Sequence, residues 1–374
     1  MKRFIIAGYT VAAIALLLFS YTQTDLNLTL SKAGFVGEAQ KAFQYVGYYQ
    51  RPVATVIYIG ILAVLFSSYA ALLRVLKENG TGFGYVWRII GILTVILVFS
   101  YPAALSYDFF NYLFTAKTVL VYRQNPYLVT PLMFSGIDPW TNFMRWTHLS
   151  SAYTPLWIAM SLVPFALGLG VFIAVMFSMK FMIAGFYLLA CWALARQVKS
   201  PFALAVFALN PLLILETLVS GHNDIVMAAF VLIAILYSSK NTLTSWFFLA
   251  LSVAAKFMTI VLIPVFYLKK KPVWMLAAML AGLAIVLTRR EFLPWYWVWI
   301  LPFVALTNEN PRIVRFSTAV SLGLALSYAP FLYFGEYSPL SQAMKTTSIW
   351  SGVLLGGILA LFPTGARRNG RVAR

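Results

Sequence analysis

Residues 201–239 read PFALAVFALNPLLILETLVSGHNDIVMAAFVLIAILYSS, two apolar runs (201–219 and 224–239) joined by the polar tetrad GHND. An apolar run of about 20 residues spans the hydrocarbon core of a bilayer as a helix, because in lipid only helices and closed barrels satisfy their own backbone polar groups. Runs of the same kind recur near 4–21, 53–73, 86–106, 172–195, 243–255, 257–268, 273–288, 293–307, 315–334 and 346–362. The expected fold is therefore all-α, a polytopic transmembrane helix bundle of about 12 spans. Composition agrees: 61% of the 374 residues are apolar, only 10% are charged, and the mean hydropathy is +0.83, where soluble domains are about 25% charged. With no repeat or low-complexity tract, residues 1–374 read as a single membrane domain. Cys191 is the only cysteine, so neither an intrachain disulfide nor a cysteine metal site can form.

The formal charge is +18, but the basic residues are scattered between apolar runs and build no nucleic-acid face. Their distribution sets the orientation instead. With the N terminus in the cytoplasm, most basic residues fall inside. They include Lys2, Arg3, Arg74, Lys77, Arg88, Arg196, Lys199, Lys240, Lys269, Lys270, Lys271, Arg312 and Arg315, as the positive-inside rule requires. Both termini are then cytoplasmic in a multi-pass protein of the cell membrane, with a basic tail at 363–374. Lys2 and Arg3 precede an apolar run followed by Tyr21, Gln23 and Asp25 without a small-residue cleavage site, the pattern of a retained signal anchor. Residues 107–171 become a large extracytoplasmic loop with interfacial helices, since YTPLWIAMSLVPFALG is broken by proline and suits the interface better than a crossing.

Ten carboxylates occur in the whole chain. Asp25, Glu38, Glu78, Glu309 and Glu336 fall in polar connections and read as solvated charges. Asp108, in SYDFFNY at the outer membrane edge, is either a partly desolvated base or the cap of a helix over 109–123. His222, Asn223 and Asp224 of GHND form either a polar site or a tight turn in which Asp224 caps the following helix, with Glu216 two turns deeper. Lys256, Arg289 and Arg290, joined by Lys117, Arg123, Arg145 and Lys180 in or beside the large loop, are positive charges on the side that should be poor in them. They either meet an anion such as phosphate or snorkel to lipid headgroups. PWYWVW, residues 294–299, offers Trp295 and Tyr296 for stacking on a sugar, or an interfacial aromatic belt. No phosphate-cradling glycine loop is visible, which argues against a nucleotide-driven reaction.

In order and spacing these elements resemble the GT-C superfamily of polytopic glycosyltransferases. The likeness is strongest to the bacterial polyprenyl-phosphate-mannose-dependent alpha-mannosyltransferases and to glycosyltransferase family 87. The likeness runs from about 100 to 307. It rests on the Asp of SYDFFNY, on Asn125–Tyr127 (NPY), on Tyr153–Trp157 (YTPLW), on NPLLILETLVSGHND, on the Lys of AAKFMTIVLIP, and on PWYWVW. What it implies is a transfer of a sugar, mannose above others, from a polyprenyl-phosphate donor to an extracytoplasmic glycan or glycolipid acceptor, with inversion. Asp108 would be the general base and Lys256, Arg289 and Arg290 would hold the donor phosphate. Asn111, Tyr153, His222, Asn223, Asp224, Trp295 and Tyr296 would form the substrate-binding set. Asp108 lacks the acidic neighbour many relatives carry, so no metal site is assigned and a divalent ion is not required. The rival class is a transporter or lipid flippase, which would use Glu216 in a central passage.

Overall fold

The computed structural model describes residues 1–78, 82–268, 271–307 and 310–362. Every regular element among them is a helix, with no strand. The expectations for Lys269, Lys270, Glu309 and the basic tail at 363–374 lie outside the described residues.

Helix starts are written into the sequence as a capping residue followed by proline. Ser200, Asn210, Asn310 and Ser338 each accept a hydrogen bond from a backbone N–H of the first turn, and each precedes a proline. Proline is pre-set for that position and lacks only an N–H that would have no helical partner. Among the described residues five helices are long and apolar enough to cross a membrane: Lys2–Thr22, Arg51–Glu78, Phe172–Val198, Pro311–Phe334 and Pro339–Leu361. Pro201–Ala208 and Pro211–Val219 make a further span bent by 49°. The remaining apolar runs form shorter helices, among them Phe83–Leu97, Asp224–Tyr237, Thr242–Ala255 and Pro272–Leu287.

Several runs do not form the single helices their hydropathy suggested, and proline is the reason. The run at 86–106 stops at Leu97, and Pro102 opens a separate 3-10 turn, Pro102–Ala104. The runs at 257–268 and 293–307 each begin as a 3-10 turn, Phe257–Leu262 and Pro294–Trp299. Each then restarts as a short α-helix at a proline, Pro264 or Pro302, because proline cannot donate to the preceding turn.

The stretch 201–237 occupies the centre. Nearly every side chain from Ala203 to Leu236 is buried, packed by the Phe172–Val198, Thr242–Ala255, Leu301–Leu306 and Arg51–Glu78 helices. The Lys2–Thr22 and Arg51–Glu78 helices bury one face each, and Pro339–Leu361 is peripheral. Where lipid gives helices no hydrophobic reason to associate, close backbone approach supplies the attraction. Gly323 and Gly352 provide it here: a Cβ on Gly352 would fall 2.7 Å from the Gly323 Cα and 2.8 Å from the Ala319 carbonyl oxygen.

The large loop is ordered by its own contacts. It carries the helices Asp108–Leu120 and Pro155–Leu167, with 3-10 turns at Pro131–Phe134 and Pro139–Asn142 between them. Asp138 gathers the segment, accepting from the Trp140 N–H at 3.0 Å and the Tyr122 hydroxyl at 2.9 Å and pairing with Lys117 at 2.6 Å. Lys117 also lies over the Trp140 ring.

Gly352→Val should destabilise the bundle by about 1–3 kcal/mol, read as a lower Tm in detergent. Gly357→Val, at a position with nothing within 4 Å, should leave Tm unchanged; equal losses in both variants would remove the close contact as a source of stability.

Candidate active site

The central span ends in a π turn, Ile214–Val219, which widens the helix and leaves its last carbonyls without helical partners. Lys180, buried in the Phe172–Val198 helix, supplies the missing donors: its Nζ donates to the Leu218 carbonyl, to the Val219 carbonyl at 2.8 Å and to Ser100 Oγ at 2.9 Å. Lys180 is thus committed to backbone and is not a phosphate ligand. The chain then reverses at Gly221, whose φ is +70° and whose absent Cβ would sit 2.6 Å from the Phe109 ring. Only glycine meets both demands.

The reversal delivers Asp224 to the start of the Asp224–Tyr237 helix. No side-chain cap forms there, because Asn223 is the capping residue and makes none. The Asp224 carboxylate is fully buried and instead accepts from Lys256 Nζ and from Trp299 Nε1, both on Oδ1. Lys256 sits in extended backbone between Thr242–Ala255 and the 257–262 turn. Its side chain keeps 27% of its surface open, and its ammonium lies 5.3 Å from the Trp299 ring centre.

Asp108 also departs from the capping role. It is the first residue of its helix, Tyr107 before it makes no side-chain cap, and no residue among those described hydrogen-bonds the Asp108 carboxylate. Burial pushes its pKa up to about 6, opposed by the nearby Lys256 ammonium and reinforced by Asp224.

Asp108 and Lys256 line one cavity of about 1140 Å³. Asn111, Tyr153, His222, Asn223, Arg290, Trp295 and Tyr296 line it with them. Of the residues that the resemblance assigned to the site, two stand apart. Asp224 lies behind the wall as the anchor of Lys256, and Arg289, exposed at the end of the Pro272–Leu287 helix, does not reach the cavity. The PWYWVW segment is no lipid-facing belt: Tyr296, Trp297 and Trp299 are buried, and Tyr296 stacks on Trp299 with ring centres 4.3 Å apart. Trp295 stacks on His222 at 4.4 Å. Burial pushes the His222 imidazole down to about 3, so the ring is neutral.

Three features escaped the sequence. Trp299 belongs to the wall because a 3-10 turn brings residues i and i+3 to one side, and nothing in the residue types of PWYWVW signals that turn. Asp25 is not a solvated loop charge: it is buried, caps Asn27 at 2.9 Å, and lies 3.7 Å from Arg145. Glu291, Glu336, Tyr337 and Lys345 complete the far wall, with Lys345 paired to Glu291 at 2.7 Å. Among the described residues no three His, Cys, Asp or Glu side chains come together as metal ligands.

An acid, fixed cations and stacked rings around one cavity suit the transfer of a sugar from an anionic carrier. The chain belongs to the alpha-(1->6)-mannopyranosyltransferase family, whose N-terminal domain model matches residues 7–270. It is accordingly a multi-pass membrane mannosyltransferase. No curated protein and no solved structure matches it. The matched residues include Asp108, Asp224 and Lys256 and stop short of Arg290 and Trp295. Family membership does not favour a transporter, and Glu216, on which that alternative depended, lines no part of the cavity.

Asp224→Ala would leave the Lys256 ammonium and the Trp299 N–H without their acceptor. It should cost about 3 kcal/mol, measured as a fall in Tm that a second change, Lys256→Met, partly restores. An unchanged Tm in the single variant would show that the carboxylate is not the anchor described.

Proposed function

We propose that the protein transfers mannose from a polyprenyl-phosphate donor to a glycan or glycolipid acceptor on the extracytoplasmic side of the cell membrane, with inversion and without an obligatory cofactor. One observation carries this: Asp108, whose carboxylate has no hydrogen bond among the described residues, faces the same cavity as Lys256, whose position is set by Asp224. Asp108 takes the proton of the acceptor hydroxyl as its oxygen attacks the anomeric carbon. The bond from that carbon to the phosphate oxygen breaks, and Lys256 with Arg290 stabilises the phosphate that departs. Trp295 and Tyr296 present ring surface to the sugar, with Asn111, Tyr153, His222 and Asn223 available for its hydroxyls.

The orientation is supported by the first helix. Twenty-one residues, Lys2–Thr22, cover about 31 Å at 1.5 Å per residue, roughly the hydrocarbon thickness, and Gln23 at its far end already lines the cavity. Tyr85 donates to the Lys2 carbonyl at 2.7 Å, so Arg88 lies at the end opposite the cavity. With the basic end in the cytoplasm, the cavity opens outside.

The reaction is tested with purified protein, radiolabelled polyprenyl-phosphate mannose and a mannoside acceptor. Asp108→Asn should lower kcat by about 100-fold or more while the donor still binds; undiminished turnover would remove Asp108 as the base. A base must be ionised, so wild-type kcat should fall about tenfold per pH unit below about 6, where burial has placed the Asp108 pKa. A rate flat from pH 7 to pH 4.5 would contradict that assignment.

A further inference from the structure

Behind the cavity wall lies a buried acid that the reaction above does not use. Glu216 has no exposed surface, and its two carboxyl oxygens reach two different parts of the wall. Oε1 accepts from the Tyr328 hydroxyl at 2.9 Å. Oε2 lies 3.3 Å from His222 Nε2, and neither of those two atoms has a hydrogen-bond partner among the described residues. The backbone repeats the link, His222 N–H donating to the Glu216 carbonyl at 2.9 Å. Tyr328, His222 and Trp295, the ring on which His222 stacks, all line the cavity. Glu216 thus clasps residues that come from the GHND turn and from the end of the Pro311–Leu326 helix.

The protonation of this clasp follows from charge. The His222 ring is neutral, and among the described residues no Lys or Arg pairs with Glu216. An ionised carboxylate here would be a buried charge with no counter-ion, which low-dielectric surroundings penalise heavily. The pair is cheapest as a neutral unit: Oε1 accepts from Tyr328, Oε2 carries the proton, and that O–H donates to Nε2. A neutral imidazole that accepts at Nε2 carries its own proton on Nδ1. Nε2 is the enclosed nitrogen, so the edge bearing Nδ1 is the one that meets the cavity.

We propose that Glu216 is a positioning residue for sugar recognition: by donating to His222 Nε2 it fixes the ring as the Nδ1–H tautomer and so presents a hydrogen-bond donor to a hydroxyl of the sugar lying against Trp295. This deepens, and rests on, the sugar-transfer function given above.

The chain has two histidines, so magic-angle-spinning 15N spectra of histidine-labelled protein, with His148→Gln to assign the signals by difference, report the His222 tautomer directly. Wild type and Glu216→Gln should both show the proton on Nδ1 alone, because a glutamine amide accepts from Tyr328 and donates to Nε2 in the same sense. Glu216→Met should give a mixture of tautomers. In transfer assays Glu216→Met should raise the donor KM about tenfold with kcat within about twofold, and Glu216→Gln should keep the wild-type KM. A proton on Nε2 in the wild type, or a Glu216→Gln variant that flips the tautomer, would overturn the proposal, as would an unchanged KM in Glu216→Met. If Glu216→Met does not fold, the spectra of wild type and Glu216→Gln decide alone. Those spectra need no turnover, so a failure of the donor assignment, seen as no transfer from polyprenyl-phosphate mannose by wild type, is distinguishable from a failure of the tautomer.

Discussion

A single oxygen of Asp224 receives both the Lys256 ammonium and the Trp299 indole N–H. These three residues come from three separate interruptions of the helical bundle: the start of Asp224–Tyr237, the end of Thr242–Ala255, and the 3-10 turn Pro294–Trp299. In a lipid-facing bundle each interruption exposes polar backbone that must find partners within the protein. Bringing all three to one buried carboxylate keeps the breaks at one end of the bundle and fixes the wall of one cavity. Lys256 is thereby held with its charge partly neutralised on one side and open to the cavity on the other.

Hydropathy made the helical character plain, because the apolar runs at 4–21, 53–73 and 172–195 correspond to long helices with one buried face. The breaks were harder to see. Pro102, Pro264 and Pro302 each divide a run that hydropathy reads as continuous, and the π turn at 214–219 leaves no mark in residue type. Asp108 was legible because carboxylates are scarce and this one follows an apolar run, although the choice between cap and cavity acid depends on the tertiary fold. Asp224 stood out as a carboxylate between two apolar runs and was expected in the substrate-binding set, yet it lies behind the wall, a place that depends on Lys256 and Trp299, distant in sequence and adjacent only in the fold. Charge counting erred in treating cations alike. Lys117 is paired with Asp138 and Lys180 with backbone carbonyls, while Lys256 and Arg290 face the cavity.

The division of labour within the tetrad GHND also becomes clear at the level of atoms. Gly221 supplies a backbone conformation and the room for Phe109. His222 offers a neutral ring stacked on Trp295, Asn223 meets the Tyr112 hydroxyl at 3.5 Å, and Asp224 anchors Lys256. Four consecutive residues therefore serve four different neighbours, and the π turn before them sets the angle at which they are presented.

Lys180 has a consequence for how the chain is assembled. Synthesis runs from the N terminus, so the Phe172–Val198 helix leaves the ribosome ahead of residues 214–219, and this ammonium reaches the membrane before the carbonyls it will neutralise. Of its three acceptors in the folded structure, Ser100 precedes it in the chain. Arrival of the Leu218 and Val219 carbonyls then gives the waiting charge its remaining acceptors. The helix laid down earlier is thus a template on which the later hairpin is seated during biogenesis.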